Sequence, residues 1–207
     1  SVYFFVKNAI KCGFRQCLVI YINIDDSLGE KDKATRHFLV LDWHHDHSES
    51  TKSKPRYKNG FCYLVCTMRI GKQTATVDLR LYLREQTVRR LNRKREKTER
   101  LHFCSKYRLA RTILQQLRPL LPPGWKVVVQ FDSWYASARL INYCRRQSWH
   151  VTCGLKHNRL LSDKRVDKHA QELQHKWYTK VGVTTTDGDK SIYFVRRHDG
   201  RLADVPH

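Results

Sequence analysis

The sequence predicts a mixed α/β fold, with one sheet of antiparallel and later strands and helices packed on it, on three observations. Four apolar, β-branched runs separated by turn residues fill the first half of the chain. Two helix-period segments fill much of the second half, each followed by a further apolar run. Strands first and helices later on one sheet is the order of a layered α/β architecture. At 207 residues the chain is long enough for one domain with a substantial core, and a single domain over 1–207 is expected.

After an amphipathic lead-in over residues 4–14, strands are expected at 18–24, 38–43, 61–70 and 74–83. In the last of these Val77, Leu79, Leu81 and Leu83 alternate onto one face, as a strand with one polar side requires. Asn59-Gly60 and Gly71-Lys72 supply turn residues, so this stretch is expected to form an antiparallel meander. Residues 89–100 are almost all charged and read as a solvated helix face. Leu109, Ile113, Leu114 and Leu117 then recur at helical spacing until Pro119, Pro122 and Pro123 stop the helix. A strand at 127–131 follows, then a helix over 135–147 capped by Ser133, then a strand at 150–155. Two last runs, 177–184 and 190–197, flank Asp187-Gly188, a strong hairpin signal.

Lys plus Arg number 40 against 19 Asp plus Glu, a formal charge of +21 spread along the chain. Such a surface repels itself unless an anion covers it, and nucleic acid is the obvious partner: DNA places a charge about every 1.7 Å of axis. Seven cysteines, an odd number without framework spacing, point to a reducing, intracellular compartment. Cys62 and Cys66 fall within one strand, where packing explains them better than a zinc half-site, and Cys12-x4-Cys17 reads the same way. No apolar stretch approaches the length of a membrane span.

Two acidic positions stand out. The run at 18–24 delivers Asp25 and Asp26, and the run at 127–131 delivers Asp132, each at the end of a buried strand. Open α/β sheets place ligands at the carboxyl ends of their strands, and carboxylates are the ligands that Mg²⁺ and Mn²⁺ select. Two such carboxylates on neighbouring strands of a basic protein suit a two-metal phosphoryl-transfer site, with ions roughly 3.5–4 Å apart. The side-chain period of two means that Asp25 and Asp26 cannot both face one site without a bulge.

The segment Tyr21-Ile22-Asn23-Ile24-Asp25-Asp26-Ser27-Leu28, followed by Lys31, resembles the first-aspartate motif of DDE transposases of the insertion-sequence-4-like group. Gln130-Phe131-Asp132-Ser133-Trp134-Tyr135-Ala136-Ser137 is similar to the second. Leu155-Lys156-His157-Asn158-Arg159 stands where that family carries a basic stretch, and Leu81-Tyr82-Leu83-Arg84-Glu85 also fits. The likeness runs from Leu18 to Arg197. It implies a ribonuclease-H-like catalytic core that cuts transposon ends and joins them to target DNA with Mg²⁺ or Mn²⁺, working as a homodimer on DNA in a cytoplasmic, nucleoid-associated setting. It matches Asp26, rather than Asp25, to the first catalytic and metal-binding position and Asp132 to the second. The family's third acid, a Glu in a Tyr-x2-Arg-x3-Glu context, has no counterpart, which implies a truncated copy lacking that helix and the upstream end-binding domain. Such a fragment is expected to be inactive as it stands.

Each position also has a plain structural account. Asp is common in turns and helix caps, so either aspartate alone reads as structural, and only the pair with its flanks favours function. His44-His45-Asp46-His47 reads as a polar strand end at the opposite end of the sheet from Asp26 rather than a zinc site. Trp134 is placed either on a frayed base or against the following helix, and Tyr135 in the core. Lys31, Lys156 and Arg159 are candidate phosphate contacts among 40 basic residues. Glu85, Glu96, Glu99 and Glu172 are weak substitutes for the third acid, Glu96 and Glu99 least suited because they sit in the solvated run. Two rival functions remain: a basic nucleic-acid-binding module without catalysis, and a ribonuclease-H-like nuclease acting on RNA or Holliday junctions.

Overall fold

The structure, a computed structural model, describes residues 19–46, 49–51, 53–173, 178–185 and 188–205. The lead-in, Cys12, Cys17, His47 and Asp187 lie outside the described residues. The chain divides into two units, Ser1–Gly154 and Leu155–His207.

The first unit is a mixed α/β arrangement built on one six-stranded sheet. Its centre is β1 (Val19–Glu30), whose alternate residues Ile20, Ile22 and Ile24 are buried. With β2 (Asp42–His45), β3 (Tyr57–Ile70) and β4 (Gln73–Tyr82), it forms the antiparallel half of the sheet. β3 pairs antiparallel with β1 from Ile20↔Ile70 to Glu30↔Gly60. β5 (Lys126–Phe131) pairs parallel with the other edge of β1, from Val19↔Lys126 to Ile24↔Phe131, and β6 (His150–Cys153) continues parallel beyond β5.

Of the expected meander, β2 with β3 and β3 with β4 pair antiparallel, and Gly71 at φ 58° makes the tight reversal between β3 and β4. β1 pairs with β3 and not with β2. The reason is the length of β3: its second edge is divided, β4 taking residues 62–70 and leaving β2 only 57–60. The apolar run at 38–41 therefore has no strand to join and forms a turn, closed by Leu41 N–H donating to Phe38 O at 3.2 Å, with Leu41 buried and Phe38 and Leu39 exposed.

Asn59-Gly60 lies inside β3, not in a turn. Gly60 is needed there because a Cβ would sit 2.5 Å from Gly29 O and 3.2 Å from Glu30 Cα, the point where β1 crosses closest. Gly60→Ala is expected to destabilise the protein by about 1–3 kcal/mol through forced separation of β1 and β3, readable as a lowered urea midpoint.

Three helices serve this sheet. α1 (Glu85–Asn92) starts the charged segment and buries only Thr87 and Val88. α2 (Lys106–Leu117) is capped by Ser105, whose side chain accepts from Arg108 N–H, and buries Ala110, Ile113, Leu114 and Leu117 against β3 and β4. α3 (Ala138–Arg146) packs against β6 through Leu140, Ile141, Tyr143 and Cys144. Its cap is Ser137, accepting from Leu140 N–H, and not Ser133. The helix starts later than expected because Asp132 takes the amides of Trp134 and Tyr135 into a turn of its own.

The side chains of Ile20, Ile22 and Ile24 and their register partners Ile70, Met68, Cys66, Val127, Val129 and Phe131 form the buried face of the sheet. Cys62 and Cys66 share that face in β3, and burial pushes their thiols up to about 11 and about 12, so both are packing residues.

The second unit contains two short strands, β7 (Leu160–Leu161) and β8 (Lys164–Arg165), then α4 (Val166–Leu173). The expected hairpin follows as β9 (Thr179–Thr184) and β10 (Lys190–Val195), antiparallel, with Gly188 at φ 88° in its turn. No helix among the described residues is long and apolar enough to cross a membrane.

Candidate acidic site beside the parallel strands

The parallel pairing of β1 with β5 stops at Ile24↔Phe131, and Asp25, Asp26 and Asp132 sit immediately past it. The expected end of the first strand at 24 is corrected: β3 goes on pairing with β1 as far as Glu30, with Asp25 opposite Val65 and Asp26 opposite Leu64, so only Asp132 follows the end of its strand. Alternation then separates the two neighbours in β1. Asp26 follows Ile20, Ile22 and Ile24 onto the helix-covered face, while Asp25 follows Tyr21 and Asn23 onto the other.

On the helix-covered face both oxygens of Asp26 are engaged. Lys106 Nζ, from the first residue of α2, lies 2.6 Å from Oδ2, and the Tyr135 hydroxyl donates to Oδ1 at 2.7 Å. The Cys62 thiol donates to Oδ2 at 3.5 Å. Burial alone would raise the Asp26 carboxyl, but the hydrogen bonds from Lys106 and Tyr135, the Lys106 charge and the Cys62 contact outweigh it and hold the group below the usual carboxylate range. Burial works to lower the Lys106 ammonium, and its contacts with Asp26 and Cys62 reverse this and raise it. Tyr135 is wholly buried, and burial together with its bond to Asp26 drives the phenol upward, so it remains a donor.

On the other face Asn23, Gln130 and Thr152 form one row across β1, β5 and β6, in register. Two residues further along each strand come Asp25, Asp132 and Gly154. These two rows line an open cleft of about 420 Å³. Gly154 suits this place because a Cβ would come 3.3 Å from both the Cβ and the backbone N of Ser133. Asp25 and Asp132 are both exposed. Asp25 Oδ1 accepts from Asp26 N–H at 2.8 Å, and Asp132 Oδ1 accepts from Trp134 and Tyr135 N–H at 3.0 and 3.2 Å, each leaving Oδ2 outside these bonds.

Tyr135 ties the two faces together, its hydroxyl on Asp26 and its amide on Asp132. The structure thus brings Asp132 beside Asp25 in the cleft and connects it to Asp26 through Tyr135. Lys106 and Cys62 were invisible as partners of Asp26: Lys106 is 80 positions away and nothing in its own segment marks it.

Trp134 is exposed and stacks on Tyr107, with ring centroids 6.5 Å apart and an interplanar angle of 11°. Lys31 Nζ lies over the Phe61 ring at 5.8 Å. Lys156 and Arg159 belong to the second unit, where Arg159 is 12% exposed and paired with Asp204 at 2.6 Å. Glu85 pairs with Arg89 one turn on, and Glu172 with Lys164.

His44 and His45 do form a polar strand end, in β2, with Asp46 paired to Lys58 at 2.8 Å. The expectation that they sit at the opposite end of the sheet from Asp26 is corrected. β2 pairs beside the Glu30 end of β1, and the half-buried His44 imidazole, lowered chiefly by burial, also senses the Lys106 charge. Antiparallel entry through β3 returns β2 to the Asp26 end.

Among the described residues no group of three His, Cys, Asp or Glu side chains converges. The donor chemistry of the cleft, two carboxylates beside the side chains of Asn23, Gln130 and Thr152, nevertheless fits a hard cation such as Mg²⁺ or Mn²⁺ and not a soft one. Comparison with family models and with curated proteins found no match.

Proposed function

We propose that the chain carries part of a polynucleotidyl-transfer site of the DDE transposase type on a ribonuclease-H-like sheet, with Asp25 and Asp132 as its two acids. The observation that carries this is their common cleft, where the parallel pairing of β1 with β5 ends. The order of strands, an antiparallel group followed by a parallel strand, helix and strand, supports the ribonuclease-H-like reading. The first acid is read as Asp25 in preference to Asp26, because both Asp26 oxygens already serve Lys106 and Tyr135. Asp26 then holds Tyr135, and through its amide the Asp132 turn, in place.

Asp25 and Asp132 would hold the ion, and Asn23 and Gln130 would orient water around it. Mg²⁺ or Mn²⁺, when bound, activates a water or 3′-hydroxyl and stabilises the leaving 3′-oxygen of DNA. The basic surface supplies the attraction for the DNA backbone.

The test is manganese titration of the chain, with DNA binding followed over a salt series in parallel. Mn²⁺ uptake that Asp25→Asn or Asp132→Asn removes is the expected result, and without a third acid the chain is not expected to nick DNA by itself. One observation favours the rival, a binding module without chemistry: Asp132 Oδ1 holds two backbone amides, as a purely structural turn residue does. Steeply salt-dependent DNA binding with no Mn²⁺ uptake would establish that rival and reject the transposase reading.

A further inference from the structure

The segment between β1 and β2 and the turn after α1 enclose a groove of about 750 Å³ in the first unit, away from the acidic cleft. Its volume falls within the roughly 300–1,000 Å³ typical of ligand sites. Arg36, Arg90, Lys94 and Arg95 line it against two acids, Asp42 and Glu99. Asp42 is already engaged, accepting from Thr87 Oγ1 at 2.7 Å and lying 3.5 Å from Arg84. The balance presented to a ligand is therefore positive.

Two aromatic rings project into this basic groove, Phe38 at 57% and Trp43 at 44% exposure. The backbone that carries them is pinned. The buried Asn59 donates its amide to Asp32 O at 2.9 Å and Thr35 O at 3.2 Å. Arg90 donates to Leu39 O at 3.1 Å and Leu41 O at 3.3 Å, and Arg84 to Trp43 O at 2.6 Å. The rings are thus held in water by a braced scaffold, beside cations. That combination suits bases for the rings and phosphates for the cations. A duplex keeps its base faces stacked inside, so the rings favour unpaired strands.

We propose that this groove binds single-stranded nucleic acid, with bases stacking on Trp43 and Phe38 and phosphates meeting Arg36, Lys94 and Arg95. The proposal stands on the groove alone and holds whether or not the acidic cleft is catalytic.

The experiment is fluorescence anisotropy of labelled oligothymidylate and of a labelled duplex, titrated with the full chain over a salt series. Trp43→Ala is expected to weaken single-strand binding about tenfold and Phe38→Ala several-fold, with duplex binding unchanged, and Trp43→Phe to restore most of the loss. Arg36→Gln with Lys94→Gln is expected to reduce the slope of log affinity against log salt by about 1.4. Should Trp43→Ala fail to fold, Phe38→Ala and the Arg36 and Lys94 changes, all at exposed positions, decide the matter. Oligouridylate titrated in parallel identifies the sugar, tighter binding assigning RNA and weaker or equal binding DNA. Unchanged single-strand affinity in the aromatic variants, equal losses for single strand and duplex, or a parent that prefers duplex would each overturn the proposal.

Discussion

Asp132→Asn and Asp25→Asn are each expected to weaken Mn²⁺ binding by at least about a hundredfold, while Asp26→Asn changes metal affinity by no more than a few-fold. Outer-sphere partners of metal ligands are already worth about 10–100-fold, so loss of a direct carboxylate ligand sets a higher floor. Asparagine keeps the shape and one acceptor oxygen of the side chain, so the Asp132 turn, which uses Oδ1 for the amides of Trp134 and Tyr135, survives the change. What is removed is the charge that the ion needs. Asp26 differs because Lys106 and Tyr135 occupy it on the far side of the sheet. Manganese titration of the three variants, each checked for folding by circular dichroism, separates the cases. If Asp26→Asn alone abolishes binding, the first acid is Asp26 and Lys106 must leave it when the ion arrives. If all three variants bind as the parent does, the aspartates are structural.

The contrast between Asp25 and Asp26 marks how far the sequence could be read. That two neighbouring carboxylates must face opposite sides of a strand follows from the period of two and needs no structure. Which side is open does not follow, because it depends on where α2 and α3 pack, and those helices lie 80 and more positions further on. The resemblance pointed to Asp26, and the sheet covers that face with Lys106 and Tyr135.

The strands β1 and β5 and the helix α2 were legible for a local reason: each carries its burial pattern in its own residues, as in Ile20, Ile22 and Ile24 or in Ile113, Leu114 and Leu117. In β4 the alternation marked a strand but not its burial: Leu79 and Leu81, on the face expected to be covered, are 59% and 42% exposed. β2 was misplaced because its position is fixed by competition with β4 for one edge of β3, a contest that no local run records. Asn59-Gly60 carries the composition of a turn, yet the glycine serves the close approach of Gly29 O instead. Ser133 had the right chemistry for a helix cap and lost the role to Ser137, because Asp132 had already claimed the intervening amides.

Asp26→Asn is expected to destabilise the first unit by about 2 kcal/mol near neutral pH, the second large effect. The substitution leaves the Lys106 ammonium, 20% exposed, without its charge partner and weakens the acceptor of the buried Tyr135 hydroxyl, and hydrogen bonds to charged groups contribute about 1.5–3 kcal/mol. The pH dependence has a definite sign. Asp26 is depressed in the folded state, so its contribution is present above the unfolded carboxyl value of about 3.9 and is lost as pH falls through its lower folded value. Lys106 is raised, so its contribution is complete below the ordinary lysine value of 10.5 and disappears as pH climbs through its higher folded value. The difference between parent and Asp26→Asn should therefore be flat from about pH 5 to about pH 9 and shrink towards acid, where the parent's own carboxyl becomes neutral. Urea unfolding across that range measures it. Lys106→Met supplies the cycle: if the ion pair is the cause, the double variant is less destabilised than the sum of the singles, by about 1–2 kcal/mol, and exact additivity would assign the loss to the Tyr135 hydrogen bond instead.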